Sequence, residues 1–451
     1  MSLSEATVAA SAADVRSGET TSRALVEALL ARAAAVDGEI RAWARIRAEG
    51  ALADAERIDS LPTEARMRLP LCGVPVGIKD VIATAGLETT AGSRALRGWV
   101  PERDAEAVAR LKTAGAIVLG KTATTEFAGP DPAPTRNPWD LGRTPGGSSS
   151  GSAAGLAADL FAGALGTQTA GSILRPAAYC GVVGFKPTYD VVSRAGVLPL
   201  AWSLDHVGPM ARTVEDAALL FGALADDDVL RGAPWSEPPV IGVPDRYFEA
   251  SSAAVAGAMR EALVLLSDIG CRIRTVTLPR SFEAAVEAAR VVLAVEASSA
   301  HQDGFTVRPD DYGPHLHTVV EAGRRVPAPD YVRAQRVRRL AVDEISSVFA
   351  QVDVLVTPTV PAPAPKGLES TGDPSFNTPF SSLGLPALAV PVPSHSTHLP
   401  VSLQIVASHG RDAALLAFGR HVEQRYEADG WSQAARRKLV AGRGERADTA
   451  E

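Results

Sequence analysis

Gly146-Gly147-Ser148-Ser149-Ser150-Gly151-Ser152-Ala153-Ala154 is followed, a few residues on, by Gly166-Thr167-Gln168-Thr169-Ala170-Gly171-Ser172. Both segments gather small, flexible, hydroxyl-bearing residues. Between them the Ala-rich Ser152–Phe161 reads as a helix and Ala164–Gly166 as a short strand, and Ile173–Ala178 begins another helix. Upstream, Gly73-Val74-Pro75-Val76-Gly77-Ile78-Lys79-Asp80 holds a strand, Val74–Ile78, that ends in a lysine. Asp104 is placed to cap a helix that runs through Ala114; Gly115 ends it, and Ala116–Leu119 is the next strand. Strands alternating with helices predict an α/β fold: a mostly parallel β-sheet covered by helices on both faces.

Outside this window the same alternation continues. Residues 21–36 form an amphipathic helix that Thr21 or Ser22 can cap, and a second helix runs from Arg47 to Ile58. After a loose, acidic, Pro-rich passage at Asp226–Pro239, strands Val240–Val243 and Arg272–Val276 flank a helix over Ala254–Leu266. Helices Phe282–Ala297 and Tyr331–Phe349 follow, then strands Val352–Val356 and Leu399–Val406.

The composition sets bounds on function. The 451 residues are 46% hydrophobic and 22% charged, enough for a large packed core. A net charge of −7 offers no broad basic surface for phosphates, so no nucleic-acid partner is expected. Cys72, Cys180 and Cys271 form no CxxC pair, which argues for buried thiols in a reducing compartment and against a disulfide frame or a zinc site. Met1-Ser2-Leu3-Ser4-Glu5 carries no signal-peptide pattern, and no apolar run approaches the ~18 residues of a membrane span. A cytoplasmic protein with no membrane partner is the expectation.

An amide hydrolase needs a nucleophile, a base, donors for the tetrahedral oxyanion and an acid for the leaving amine. Ser172 follows Thr169-Ala170-Gly171 at what reads as a helix start. Free N–H groups there suit an oxyanion, and the plain alternative is a helix-capping serine. Lys79 stands at the C-terminal edge of a strand, where α/β folds place their sites. Buried, its amine becomes a base; exposed, it is one half of a Lys79–Asp80 surface pair. Ser148 can carry a proton between the two, or belong to a flexible Gly/Ser linker. A competing pattern lies in the same loop: Gly147-Ser148-Ser149-Ser150-Gly151 fits GxSxG, which would make Ser149 the nucleophile of an esterase. His301, His315, His317, His395, His398 and His409 would be its candidate bases, but none lies in a recognisable motif.

Together these segments resemble the amidase signature family. The resemblance runs from Gly77-Ile78-Lys79-Asp80 through Pro134-Thr135-Arg136-Asn137-Pro138-Trp139 and the Gly/Ser loop. It continues over Gly171-Ser172-Ile173-Leu174-Arg175-Pro176-Ala177 and Cys180–Thr188 to Ser203-Leu204-Asp205 with Gly208-Pro209. It implies a single large domain with a central mixed, mostly parallel β-sheet, a Ser172 nucleophile, a Ser148 bridge whose peptide is cis, and a Lys79 base, with no metal and no cofactor. It also implies oxyanion-hole or substrate-binding roles for Thr169, Ala170, Gly171 and Arg175. Arg175 either clamps a substrate carboxylate or braces the loop before Pro176. The chain departs from the family pattern at Phe380-Ser381-Ser382, at Ser402 and at Ala407.

One domain over 1–451 is expected, with an N-terminal helical layer at 1–65, a catalytic core at 66–225, the remaining α/β part and pocket loops at 226–430 and a polar tail at 431–451. The expected activity is stand-alone hydrolysis of a small carboxamide, with a homodimer allowed. The alternative is an amidotransferase A-subunit that supplies ammonia for tRNA-dependent amidation.

Overall fold

Pro75-Val76-Gly77-Ile78-Lys79 is buried at every position, as a strand covered on both faces must be. It is the second of eleven strands in one sheet. The computed structural model describes residues 7–230, 234–395 and 397–428. The tail at 431–451 lies outside the described residues. The strands are β1 (Trp43–Ile46), β2 (Pro75–Lys79), β3 (Ile117–Thr122), β4 (Gly163–Gln168), β5 (Val183–Lys186), β6 (His206–Ala211), β7 (Val240–Val243), β8 (Arg272–Thr275), β9 (Val354–Pro358), β10 (Ala387–Val392) and β11 (Val401–Ala407). Their order across the sheet is β1-β3-β2-β4-β6-β5-β10-β11-β9-β7-β8.

The sheet is mixed, as expected, but its parallel pairs are confined to two blocks, β3-β2-β4 and β9-β7-β8. Every pairing from β4 through β6, β5, β10 and β11 to β9 is antiparallel. A strand–helix rhythm in the sequence does not reveal the direction in which the chain returns. Strands β5, β6 and β10 escape a reading by pattern because glycine and proline interrupt them; Pro391 sits inside β10.

Side chains alternate across the strands, so one strand feeds two cores. Val118 joins the apolar cluster on one face of the sheet, and Ile117 and Leu119 join the cluster on the other. Helices supply the opposing surfaces. The helix Ser22–Ile40 starts where expected, with Thr21 Oγ1 accepting the Ala24 N–H at 3.1 Å. The helix Glu106–Thr113 has no side-chain cap. Asp104 instead accepts the Ala85 N–H at 2.8 Å and pairs with Lys112 at 2.8 Å, so its carboxylate ties a loop to the helix. Among the described residues no helix is long and apolar enough to cross a membrane. The three cysteines are free and buried.

Candidate active site

β2 and β4 are parallel neighbours, with Val76 opposite Gly163 and Ile78 opposite Leu165. Their C-terminal ends therefore emerge side by side. Lys79, the last residue of β2, is wholly buried. Its Nζ lies 2.7 Å from Ser148 Oγ, 2.7 Å from Thr167 Oγ1 and 3.2 Å from the Thr167 carbonyl. Burial holds the Lys79 pKa well below the ordinary lysine value; the Asp205 carboxylate opposes that shift and the Arg175 guanidinium adds to it. Burial thus disfavours the charged form of this amine where it meets the Ser148 hydroxyl.

Ser148 sits in the turn that enters the helix Ser150–Ala157, and the Gly147–Ser148 peptide is cis. That helix packs tightly on the sheet because it is made of small residues. A Cβ at Gly151 would lie 2.1 Å from the Ala42 carbonyl oxygen and 2.4 Å from the Ala123 nitrogen, so no larger residue fits there. Ser149 is wholly buried and exchanges hydrogen bonds with the backbone of Thr167, donating to its carbonyl (3.2 Å) and accepting its N–H (3.3 Å). It pins the loop to β4. A hydroxyl so engaged does not match the exposed nucleophile that the GxSxG reading requires.

Ser172 lies just past the end of β4. Its carbonyl accepts the Ser149 N–H at 3.2 Å, which draws its turn against the Ser148 loop. The expected helix start is displaced: the regular helix is Leu174–Cys180, and Ser172 precedes it. The reason is local. Gln168 Oε1 accepts the N–H groups of Ile173 (2.8 Å) and Leu174 (3.0 Å), so a side chain from β4 caps the helix and the Thr169–Ser172 turn stays outside it. A Cβ at Gly171 would fall 2.6 Å from Asn377 Oδ1, so glycine allows that side chain to close over the turn.

Arg175 is buried, and both terminal nitrogens of its guanidinium bond loops, while its Nε has no hydrogen-bond partner among the described residues. One terminal nitrogen donates to the Gly147 carbonyl (2.7 Å) and to Thr371 Oγ1 (3.0 Å), and the other donates to the Gly372 carbonyl (2.9 Å). The planar fork therefore spans the loop that carries Ser148 and the loop at 371–372. The 370–381 segment also reaches the turn from the far side, where Ser381 Oγ donates to the Thr169 carbonyl at 2.9 Å.

Three groups here carry no single-residue sequence signal. Asp205 accepts the Thr169 hydroxyl at 2.5 Å and the N–H groups of Leu200 and Ala201 at 2.9 and 3.0 Å. Burial raises its pKa to about 6 against those hydrogen bonds. Thr167 bonds Lys79, and Asn377 joins Gln404 at 2.8 Å beneath the turn. Asp205 and Thr167 fall in stretches that the sequence singles out, though their partners do not show there. Tertiary pairing brings in Asn377. The loops at 129–133 and 301–317 meet at a cavity of about 560 Å³ lined by Trp43, Arg94, Glu126, Asp131 and Asp311. His301 packs into an aromatic cluster with Phe127 and Tyr312, and His409 bonds the Leu383 carbonyl at 2.8 Å.

Comparison with known proteins places this geometry. The Amidase family model matches residues 24–416. The A-subunit of glutamyl-tRNA(Gln) amidotransferase from Myxococcus xanthus (strain DK1622) is 38% identical, over 95% of this chain and 98% of that protein. The protein of the same name from Geobacter sp. (strain M21) is also 38% identical, over 87% of this chain and 91% of its own length. A crystal structure of an amidase superposes with a TM-score of 0.84 at 34% identity, covering 93% of this chain and all of that one. The relatives overturn the expectation of a stand-alone hydrolase, because they bear the name of an amidotransferase component over nearly their full length. They also remove the support for excluding nucleic acid. Net charge describes a whole surface, and it does not tell what an assembly of subunits holds.

Proposed function

This chain belongs to the amidase family of enzymes acting on amide C–N bonds, and we propose that it works there as the amide-splitting subunit of an amidotransferase. In this reading Ser172 Oγ attacks the carbonyl of a carboxamide donor. Its proton passes to Ser148, whose own proton passes to the Lys79 amine. The carbonyl oxygen becomes an oxyanion facing the Thr169–Ser172 turn, where Ala170 and Gly171 leave the backbone N–H groups uncovered. The tetrahedral intermediate collapses, the C–N bond breaks, and the proton returns through Ser148 to the leaving nitrogen, which departs as ammonia. Water then repeats the relay and frees the carboxylate. The ammonia is consumed by a partner subunit that holds glutamyl-tRNA. The stretch 66–225 supplies all three reacting side chains.

The observation that carries the reading is the buried Lys79 amine at 2.7 Å from Ser148 Oγ. A charged ammonium would be costly at that depth, whereas a neutral amine can accept a proton. Arg175 has a bracing role. It fixes the Gly147 carbonyl and the 371–372 loop, and the observed hydrogen bonds leave its fork committed to protein acceptors.

The test combines this chain with the other subunits of the Geobacter enzyme and supplies glutamine or asparagine labelled with ¹⁵N in the side-chain amide. Label is expected on the tRNA-bound amino acid in the complete assembly and is expected to vanish with Ser172→Ala. Hydrolysis by the isolated chain at the rate of the assembly, with no transfer, would refute the amidotransferase reading. An acyl group trapped on Ser149 would refute the assignment of Ser172.

A further inference from the structure

Thr169 lies three residues before Ser172 and is held from two sides. Its hydroxyl donates to Asp205 Oδ1 at 2.5 Å, and its carbonyl accepts the Ser381 hydroxyl at 2.9 Å. The two holders belong to different elements. Asp205 closes the loop at 200–205, where its other oxygen accepts the N–H groups of Leu200 and Ala201. Ser381 lies in the five-residue helix Thr378–Ser382, at a place where the chain departs from the family pattern. A loop and a single helical turn do not hold a fixed separation by themselves. One side chain spans them. Arg338 comes from the helix Ala328–Phe349, which supplies none of the reacting groups. Its Nη2 donates to the Ser203 carbonyl (3.0 Å) and to the Ser382 carbonyl (2.8 Å), and its Nε donates to the Ser382 carbonyl as well (3.1 Å). Its Nη1 donates to Ser203 Oγ (3.0 Å) and to Gln335 Oε1 (2.7 Å). Glu296 accepts the Ser203 N–H and hydroxyl, each at 2.7 Å, and so steadies the same loop from a second helix.

We propose that Arg338 is a positioning residue for the reaction: by bridging Ser203 and Ser382 it fixes the separation of the two holders of Thr169, and with it the place of the turn that carries Ser172. The inference rests on the assignment of Ser172 as nucleophile. Ser203 is two residues from Asp205, and Ser382 is next to Ser381, so each arm of the bridge ends beside a holder. A guanidinium suits this task because its N–H groups point in fixed directions toward several acceptors, whereas a lysine ammonium reaches from one point. Without the bridge the holders are free to shift against each other. A displacement of about 1 Å at a reacting centre costs about 100-fold in rate even when its origin is remote. The hydrogen bonds of Arg338 run to these two segments and to its own helix, so the effect belongs to the chemical step and not to binding.

Phenylmethanesulfonyl fluoride probes the nucleophile whatever the amide substrate is. The bond from Ser172 Oγ to sulfur forms, the S–F bond breaks and fluoride leaves. Its limiting inactivation rate, kinact, and half-saturating concentration, KI, take the places of kcat and KM. For Arg338→Met, kinact is expected to fall about 100-fold, with KI within about threefold of wild type. Arg338→Lys, which serves one arm of the bridge, is expected to lower kinact about tenfold. The same Arg338→Met change is then made in a Thr169→Val/Ser381→Ala background, where both holders have lost their grip on Thr169. There it is expected to lower kinact less than about threefold further, because the two changes cut one chain of contacts. A role in stability alone predicts equal factors in both backgrounds. A loss below about tenfold for Arg338→Met, a KI that rises as much as kinact falls, or a further loss of about tenfold or more in the background overturns the inference. Should Arg338→Met fail to fold, Arg338→Lys decides: a loss in kinact of about threefold or more at constant KI supports the inference, and a smaller loss overturns it. Mass spectrometry of the labelled protein keeps the premise separate. Wild-type enzyme that takes the sulfonyl group at a residue other than Ser172 refutes the nucleophile itself. Label on Ser172 with unimpaired Arg338 variants refutes only the role of Arg338.

Discussion

Lys79 and Lys121 stand on the adjacent strands β2 and β3, both wholly buried, and burial lowers the pKa of both to different degrees. Lys121 has a carboxylate near, Asp80 at 3.9 Å, and bonds the Ile82 carbonyl, Thr89 Oγ1 at 3.0 Å and Thr84 Oγ1 at 3.3 Å. Burial lowers its pKa only to about 8, because Asp80 and then Asp104 favour the charged form. Lys79 is likewise bonded by two hydroxyls and a carbonyl, but its carboxylate, Asp205, makes no ion pair with it, and burial takes its pKa well below the ordinary value with Asp205 opposing. The depth is the same. The hydroxyl and carbonyl partners are alike in kind, and the difference is the carboxylate within 4 Å of Lys121.

The comparison predicts that the two positions fail in different ways. Lys79→Met is expected to lower kcat about 10³- to 10⁴-fold, the range of a lost general base, without lowering Tm. Rapid-quench acylation together with thermal melting measures both, and turnover above a tenth of wild type would erase the contrast. Lys121→Met leaves the Asp80 carboxylate buried without its cation. A loss of about 3–5 kcal/mol of stability is expected by chemical denaturation. Adding Asp80→Asn should restore much of that loss, and no restoration would mean that the pair does not act as a strut.

Arg175 tests whether the buried guanidinium behind the Ser148 loop is a strut as well. Arg175→Lys keeps the charge but cannot span the acceptors of two loops, so about 1–3 kcal/mol of stability should be lost. The fall in kcat/KM should be equal for an acidic and a neutral amide. A selective loss on the acidic amide would return Arg175 to the role of substrate clamp.

Lys186 is expected to show only in the pH dependence of stability. Burial lowers its pKa to about 7 from the ordinary 10.5, with Asp412 opposing. Between those values the unfolded chain holds a proton that the folded chain lacks, so this lysine makes stability rise with pH across that window and fall as pH drops toward 7. The slope is about 1.4 kcal/mol per pH unit in the middle of the range. Lys186→Met should flatten it, measured by urea unfolding at pH 7.5, 8.5 and 9.5; an unaltered slope would show that Lys186 remains charged when buried.

Legibility followed range along the chain. Strands such as β2 and β7 are legible from short runs rich in Val and Ile, and the loop carrying Ser148 and the turn carrying Ser172 from their glycine frames. The helix start at Leu174 was not, because its cap comes from Gln168, five residues before Ile173 and on another element. The antiparallel centre of the sheet was not, because strand direction depends on which neighbour a strand pairs with. The role of Thr167 was hidden for the same reason: a threonine at a strand end is ordinary until a buried lysine reaches it.

By itself, the sequence determined the chemistry available: a lysine at a strand end, serines framed by glycines, and enough apolar residues to bury them. Those are properties of residue type and short spacing, which survive without coordinates. Tertiary structure alone decided which of these groups meet and in what state. Lys79 and Ser148 are 69 positions apart in the chain, and their 2.7 Å contact exists only because parallel pairing of β2 with β4 brings them to one sheet edge. The same packing excludes water from Lys79 and spares Asp80 for Lys121. Desolvation and the placement of one carboxylate, neither of them written in local sequence, make one lysine a candidate base and leave its neighbour a structural cation.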